Sequence, residues 1–484
     1  MLSFRLSCCQ APDWSQQTFA AAQLGDTRRA QRAATIAQAM AEQPGASIPD
    51  LFDEPYAIKA AYTLFDRPEA TPDNLHGPHR AAVAQALATP GARYLLLEDT
   101  SELSWTNKKK IAGLGPIANG LEHQQGFLLH SALAVRWPDP SAATPLARRP
   151  PLEVLGLADQ LYEIRRPRPA GEDRNDSLAR QGRKRESQLW GTLGQRLGAA
   201  PAGVRWEKVC DRGADIYEYL VQCGELGHGF TVRAAQDRTL ADEHGKKACQ
   251  SLFATARAAP ALGHFELELR GRDGQSTRLA RLAVAACAVR LRSPQRPGHA
   301  SGSLAAVACT VVRVFEVDAP PQVKQPLEWI LLTDAPVVTF ARAQEVALKY
   351  SARWLIEEFH KGLKTGLGAE RLQLETAQRL FAAIAIMSLV ALRLIDLREA
   401  VRLEPQAPAE SGPLSALELQ VLRARLKRPI KTVREVALAI GRLGGHMNRK
   451  GDGLPGWITL WRGMKKLQLL VQGVLLARDL EKFG

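Results

Sequence analysis

Apolar and polar residues repeat along this 484-residue chain in two periods, and the switches between them mark its elements. Residues 1–70 follow the helical period. In "DWSQQTFAAAQLGDTRRAQRAATIAQAMAEQ" the apolar positions lie three and four apart, and a break at Gly25-Asp26 leaves Asp26 or Thr27 to cap a second helix. A further helix fits between "TPDNL" and "TPGAR", bounded by turns that contain proline. The period then shortens. "RYLLLEDTSELSW" opens on an apolar run, Leu95 to Leu97, which reads as a buried strand with Asp99 emerging at its end. "GFLLHSALAVRW", from Gly126 to Trp137, is a second strand. Trp206 to Cys210 is a third, with Asp211 at its end and a helix beginning over Ala214 to Leu220. From Gly229 to Pro336 "GFTVRAA", "HFELELR", "TRLARLAVAACAVRLR", "SLAAVACTVVRVFEV" and "EWILLTDAP" all have strand character. The expected fold class is therefore α/β, with a β-rich insertion at about 229–340 and helical segments at both ends. Expected boundaries are 1–70, 71–398 and 399–484.

Between the insertion and the C-terminal region lies Tyr350 to Lys364, "YSARWLIEEFHKGLK", with no proline and no glycine before Gly362. As a single helix it would set Tyr350, Arg353, Glu357, Lys361 and Lys364 within an arc of roughly 80°. Leu355, Ile356, Phe359 and Leu363 would gather on the opposite, buried side. One carboxylate among a phenol, a guanidinium and two ammonium groups suits a metal ion held beside a phosphate. The same spacing also describes an exposed helix with ordinary i,i+4 ion pairs worth about 0.2–0.5 kcal/mol each. The residues alone leave both open. Beyond them come an apolar helix over Leu380 to Leu397, the linker "LEPQAPAESGP" and a basic helical end.

Hydrophobic residues make up 45% and charged residues 24% of the chain, the balance of a globular protein. No apolar run reaches the length of a membrane span, and residues 1–25 lack the order of a signal peptide, so a cytoplasmic protein is expected. Seven cysteines without a C-x2-C pair argue against a disulfide framework and a zinc site. Cys8 and Cys9 are adjacent, and Cys210, Cys223, Cys287 and Cys309 lie in apolar or mixed segments. The net charge of +14 points to a polyanion, nucleic acid first. Val421 to Lys466 holds twelve Lys or Arg against Glu435 and Asp452, although a basic face can also be simply solvated. Tyr162 to Glu186 reads as a long exposed Arg-rich loop. Arg28, Arg29 and Arg32 project from the first turns of the second N-terminal helix, where DNA backbone or groove edges could be met.

Asp99, Asp211 and Glu357 make a candidate constellation, two from strand ends and one from a helix. Oxygen ligands suit Mg²⁺ or Mn²⁺, and two such ions about 3.5–4 Å apart can drive an in-line displacement at phosphorus. Nothing in the residues alone selects these three from 50 acids. Glu98 and Glu102 flank Asp99, Asp215 follows Asp211, and any of them serves as well as a surface or capping acid.

The wording of these segments makes the selection. Tyr350-x2-Arg353-x3-Glu357-x6-Lys364 is similar to the Tyr-Arg-Glu-Lys signature of the DDE transposases of bacterial insertion sequences (the insertion-sequence-four family). "RWLIEEFHKGLKTGLGAER" resembles its Tn-five type. "LLLEDTSELSW" and "VCDRGADIYEYL" resemble the segments carrying the family's first and second aspartates. "W…F…LGDTRRAQR" resembles its end-binding domain, and "LEWILLTDAP" and "AIGRLGGHMNRKGDGLPGWITLWRG" keep the order to the end. The resemblance implies an RNase H-like (integrase-type) core and a cut-and-paste mechanism with a hairpin intermediate. Asp99, Asp211 and Glu357 would hold two ions of Mg²⁺, with Mn²⁺ as substitute. Tyr350, Arg353, Lys361 and Lys364 would grip phosphates, and Trp329 would receive a flipped base with Trp354 beside it. Arg233 would be a further basic residue near the site, and Arg28, Arg29 and Arg32 would contact DNA. Core packing is the other reading of both tryptophans. The implied partners are double-stranded DNA, as transposon ends and target, and a second copy in a synaptic homodimer; no membrane is implied. Gly213 departs from the glutamate of close relatives. A metal-dependent nuclease of the same fold, or a repurposed DNA-binding protein, fits the same residues.

Overall fold

The computed structural model describes the chain except residues 1–10, 107–109, 118–123, 139–148, 167–184, 270–277, 296–302, 413, 450–452 and 484. Most of the Arg-rich loop, together with Cys8 and Cys9, falls outside the described residues. Four helices open the chain: α1 (Ala11–Phe19), α2 (Thr27–Glu42), α3 (Pro55–Phe65) and α4 (Pro72–Ala86). Asp26 caps α2 by accepting from the Arg28 N–H, as the Gly-Asp break suggested. Thr71 caps α4 in the same way.

Strands β1 (Arg93–Thr106), β2 (Gln124–Trp137) and β3 (Glu153–Glu163) follow. After helix α5 (Gln188–Leu197) come β4 (Arg205–Cys210), helix α6 (Tyr217–Glu225) and β5 (Gly229–Arg233). The insertion contributes a short helix α7 (Leu252–Ala258), then β6 (Ala261–Leu269), β7 (Arg278–Leu291), β8 (Val307–Glu316) and β9 (Glu328–Thr333). The sheet runs β3-β2-β1-β4-β5 and continues without a gap into β9-β8-β7, with β6 on β7. Only β1–β4 and β4–β5 are parallel among these pairs. The β-rich block therefore extends the α/β sheet and shares its ladder: Leu331, Leu332 and Thr333 pair with Arg233, Val232 and Thr231.

Three expectations change. β1 does not stop after Leu97. It runs to Thr106, so Asp99 lies in mid-strand, paired across to Ser131. Helix formation after Asp211 starts as a 3-10 turn over Arg212–Ala214 and becomes α-helical only at Tyr217. Tyr350 to Lys364 is not one helix. α8 (Phe340–Ala352) and α9 (Trp354–Lys361) meet at Arg353, and Gly362–Gly366 widens into a π turn. Its buried side is as expected, with Leu355, Ile356, Phe359 and Leu363 all enclosed.

The long helix α10 (Ala377–Leu403) runs across the expected boundary at 398 and reaches the C-terminal helices α11 (Ala416–Leu426), α12 (Val433–Leu443) and α13 (Trp457–Phe483). These have a core of their own around Leu422, Val436, Ile440 and Leu467. The N-terminal helices do not. Trp14, Phe19, Ile36 and Phe65 belong to one apolar cluster with α10 and one face of the sheet. The boundary at 70 is thus no gap in packing. Among the described residues no helix is long and apolar enough to cross a membrane.

Candidate active site

Register brings the first two acids together. The parallel ladder of β1 with β4 ends at Glu98 opposite Cys210, so Asp99 and Asp211 are the next residue on each chain. Asp99 stays in β1 and pairs onward with β2. Asp211 leaves the sheet and caps the 3-10 turn, accepting from the Gly213 N–H at 2.7 Å. A Cβ on Gly213 would lie 3.0 Å from Asp211 Oδ1 and 3.2 Å from the Trp190 ring, a tight fit.

Alternation along β1 sorts the neighbouring acids. Glu98 points to the other side of the sheet, fully buried. There it pairs with the equally buried Lys208 and accepts from the Tyr219 hydroxyl at 2.9 Å. Glu102 pairs with Arg165 at 2.6 Å. Asp215 is enclosed by Arg238 at 2.7 Å and by the N–H groups of Ala235 and Gln236. Each rival acid is therefore a structural group.

Glu357 comes from α9, and the joint at Arg353 governs its approach. The Arg353 guanidinium binds Glu357 directly, and its Nη1 lies 3.7 Å from Asp99 Oδ2. Burial works against its charge, but Tyr350, Glu357, Asp99 and Asp211 outweigh that and hold the proton more firmly than usual. All three candidate carboxylates act on this one cation. Burial also pushes Asp99 up, yet His360 and Arg353 bring it below the ordinary carboxylate range. Asp211 is raised, by burial first and by the charge of Asp99 second, against the pull of Gly213, Arg353 and Arg233. Asp99 and Asp211 are thus close enough to repel.

His360 is a member that the sequence reading missed. It is buried, with Nδ1 3.9 Å from Asp99 Oδ2 and Nε2 3.1 Å from Ser131 Oγ. Gln160 donates to that same Ser131 hydroxyl at 2.9 Å, and Tyr162 donates to Gln160 at 2.8 Å. The one available signal was its place three residues after Glu357. A second missed group anchors α8: Lys349 reaches buried Glu207 at 2.6 Å, and Thr231 donates to the same carboxylate at 2.7 Å.

Around the acids, Trp329 meets Tyr350 edge to face, ring centres 5.0 Å apart. Arg233 lies within electrostatic reach of Tyr350 and donates to the Glu328 carbonyl at 3.1 Å. Burial lowers the Arg233 pKa, with Tyr350 opposing. Trp354 is half-buried and donates to Glu358 at 3.0 Å. A pocket of about 350 Å³ opens beside Asp99 and Glu357, with Lys361 and Lys364 on its wall. Lys361 is exposed, and Lys364 donates to the Glu102 carbonyl at 2.7 Å and lies 3.3 Å from Glu370. Arg28, Arg29 and Arg32 do not line it. Arg28 is 87% exposed and paired with Asp26, Arg29 turns back to Glu69 and the Leu24 carbonyl, and Arg32 lies over the Tyr56 ring.

The donor set is one of hard oxygens, which fits a divalent cation such as Mg²⁺. The spacing is that of acids gathered around a guanidinium. Among the described residues no three His, Cys, Asp or Glu groups stand close enough to hold an ion. As it stands, the Glu357 carboxylate is engaged by Arg353.

Three family models match the chain. Residues 11–70 match a transposase DNA-binding domain, 156–393 a transposase DDE domain, and 418–484 the transposase Tn5 dimerisation domain.

Proposed function

We propose, for a chain that belongs to the Tn5-like DDE transposases and so to the phosphoryl-transfer enzymes, that it excises and inserts a mobile DNA element by cut-and-paste transposition. The observation carrying this reading is the convergence of Asp99, Asp211 and Glu357 on Arg353 beside a pocket walled by Lys361 and Lys364. The order β3-β2-β1-β4-β5, with β1, β4 and β5 parallel, supports an RNase H-like core whose sheet the insertion prolongs.

The three carboxylates would hold two Mg²⁺ ions, with Mn²⁺ as substitute. Bound there, the ions would lower the pKa of water and neutralise charge at the attacked phosphorus. The chain's own groups do the rest. Lys361 and Lys364 draw the phosphate backbone into the pocket, and Arg353 exchanges its carboxylates for a phosphate. His360, fixed by Ser131, holds Asp99 in one orientation. Trp329 and Trp354 offer aromatic faces to a base displaced from the end of the duplex. The reaction would run from a nick that frees a 3′ hydroxyl, through a hairpin, to joining with target DNA. Residues 11–70 would recognise the ends through Arg28 and Arg32, with Arg29 holding the fold of that segment. Residues 418–484 would pair two protomers, and the protein would work in the cytoplasm.

The test is a duplex carrying the flanks of the protein's own gene, incubated with protein and Mg²⁺ and resolved on a denaturing gel. Nicks, hairpins and joined products that vanish with Asp211→Asn are the expected result. Cutting without joining would leave a nuclease, and binding without cutting a repurposed DNA-binding protein.

A further inference from the structure

Charge is distributed against the domain matches. Residues 11–70, matched as DNA-binding, carry five Lys or Arg and eight Asp or Glu. Residues 418–484, matched as the dimerisation domain, carry fourteen and five. The excess is densest between α11 and α12. Five of the ten residues from 425 to 434 are cations, namely Arg425, Lys427, Arg428, Lys431 and Arg434, and all five are exposed.

Several exposed arginines elsewhere are paired with acids: Arg28 with Asp26, Arg196 with Asp73, Arg257 with Glu328 and Arg281 with Asp318. Among the described residues none of the five forms a salt bridge. The nearest acid, Glu435, accepts from the N–H groups of Lys431 and Thr432 in the capping box of α12. The turn itself is pinned. Ile430 is fully buried and its carbonyl accepts from Arg423 at 2.5 and 3.2 Å, while the Ala409 N–H donates to the Lys431 carbonyl at 2.8 Å. Lys427 closes α11 in the left-handed region, at φ 51°. Five cations answered by one nearby carboxylate, Glu435, which senses the charges of Arg428 and Lys431, leave an excess on a fixed backbone that repels a second copy of itself and attracts a polyanion.

We propose that this turn is a docking surface for duplex DNA, gripping phosphates without reading sequence, in addition to the end-recognition segment and the pocket. The choice of DNA among polyanions rests on the transposase reading. Contacts of this kind hold flanking or target DNA, whose sequence is not fixed.

The experiment uses the full chain with Asp211→Asn, so that cleavage does not intrude, and a random-sequence duplex without element ends. Affinity is measured from about 50 to 200 mM salt. Arg425→Gln, Arg428→Gln and Lys431→Gln are combined in one variant, and Lys246→Gln, Lys247→Gln and Arg290→Gln, also exposed, form the control. Three lost phosphate contacts reduce the slope of log K against log salt by about 2.7, so the parent should lose about 40-fold more affinity across that range than the turn variant. The control should keep the parent's slope, and both variants its melting temperature. A turn variant with the parent's affinity and slope overturns the docking surface alone. Lost self-association with unchanged DNA affinity also overturns it, by assigning the turn to the dimer. A parent that binds no duplex at all overturns the transposase reading beneath it.

Discussion

Arg353 is the residue on which the proposed site turns, because it is paired with acids that would hold the metal. Glu357→Gln should lower strand cleavage by at least about 10³-fold while leaving end binding by gel shift within a few-fold of the parent. Retained cleavage by a clean preparation would remove Glu357 from the site. Arg353→Ala should bind Mn²⁺ more tightly than the parent in the absence of DNA, since the competing guanidinium is gone. Equal affinity by calorimetry would mean that Arg353 does not guard the acids. Single residues were also the least legible scale in the sequence. Glu98 looks as good a ligand as Asp99 until alternation along β1 sends it to Lys208 across the sheet. His360 carries no mark of its own, since its role depends on Ser131, a strand pairing away.

Elements were easier to read, because period and turn chemistry act locally. The N-terminal helices, β2, β4 and the strands of the insertion all answer to their pattern. What period could not supply was the break at Arg353, where no proline or glycine interrupts the run, nor the extension of β1 through polar residues held by β2 and by groups after α9 such as Lys364 and Glu370. The contact of α4 with β3 gives two predictions at this scale. Gly156 has φ +136°, and a Cβ there would lie 2.6 Å from the His79 ring, so Gly156→Ala should cost about 1–3 kcal/mol from the backbone alone. An unchanged urea midpoint would show that the backbone at 156 takes up a side chain without strain. Burial lowers His76 to about 4 and His79 to about 3. Below pH 6.5 the unfolded chain takes up protons at these rings and the folded one does not. Stability should therefore fall with pH between 6.5 and about 4, on the order of 1 kcal/mol per histidine per pH unit. A flat melting temperature over that window would contradict the burial of both rings.

At the scale of the molecule, the sheet and the N-terminal helices share a core, and the C-terminal helices keep another. Leu469, Leu476 and Leu480 lie along one face of α13 at seven and four residue steps and are 62%, 62% and 64% exposed. Leu476→Glu with Leu480→Glu should leave the chain folded, since neither side chain is in the core, and abolish its dimers by sedimentation on DNA. Persisting dimers would move the interface to another surface. α10 passes unbroken across the expected boundary at 398, and nothing in its sequence marks the crossing.

β1 is hydrogen-bonded on both sides up to Glu98 and to β2 beyond it, so Asp99 is built into the sheet. Glu357 rides on eight residues bounded by a joint and a π turn. The site is a vice with one jaw cast into the frame and the other on a short slide. A DNA-handling enzyme built this way can regauge its opening from one side, without disturbing the sheet that sets its zero.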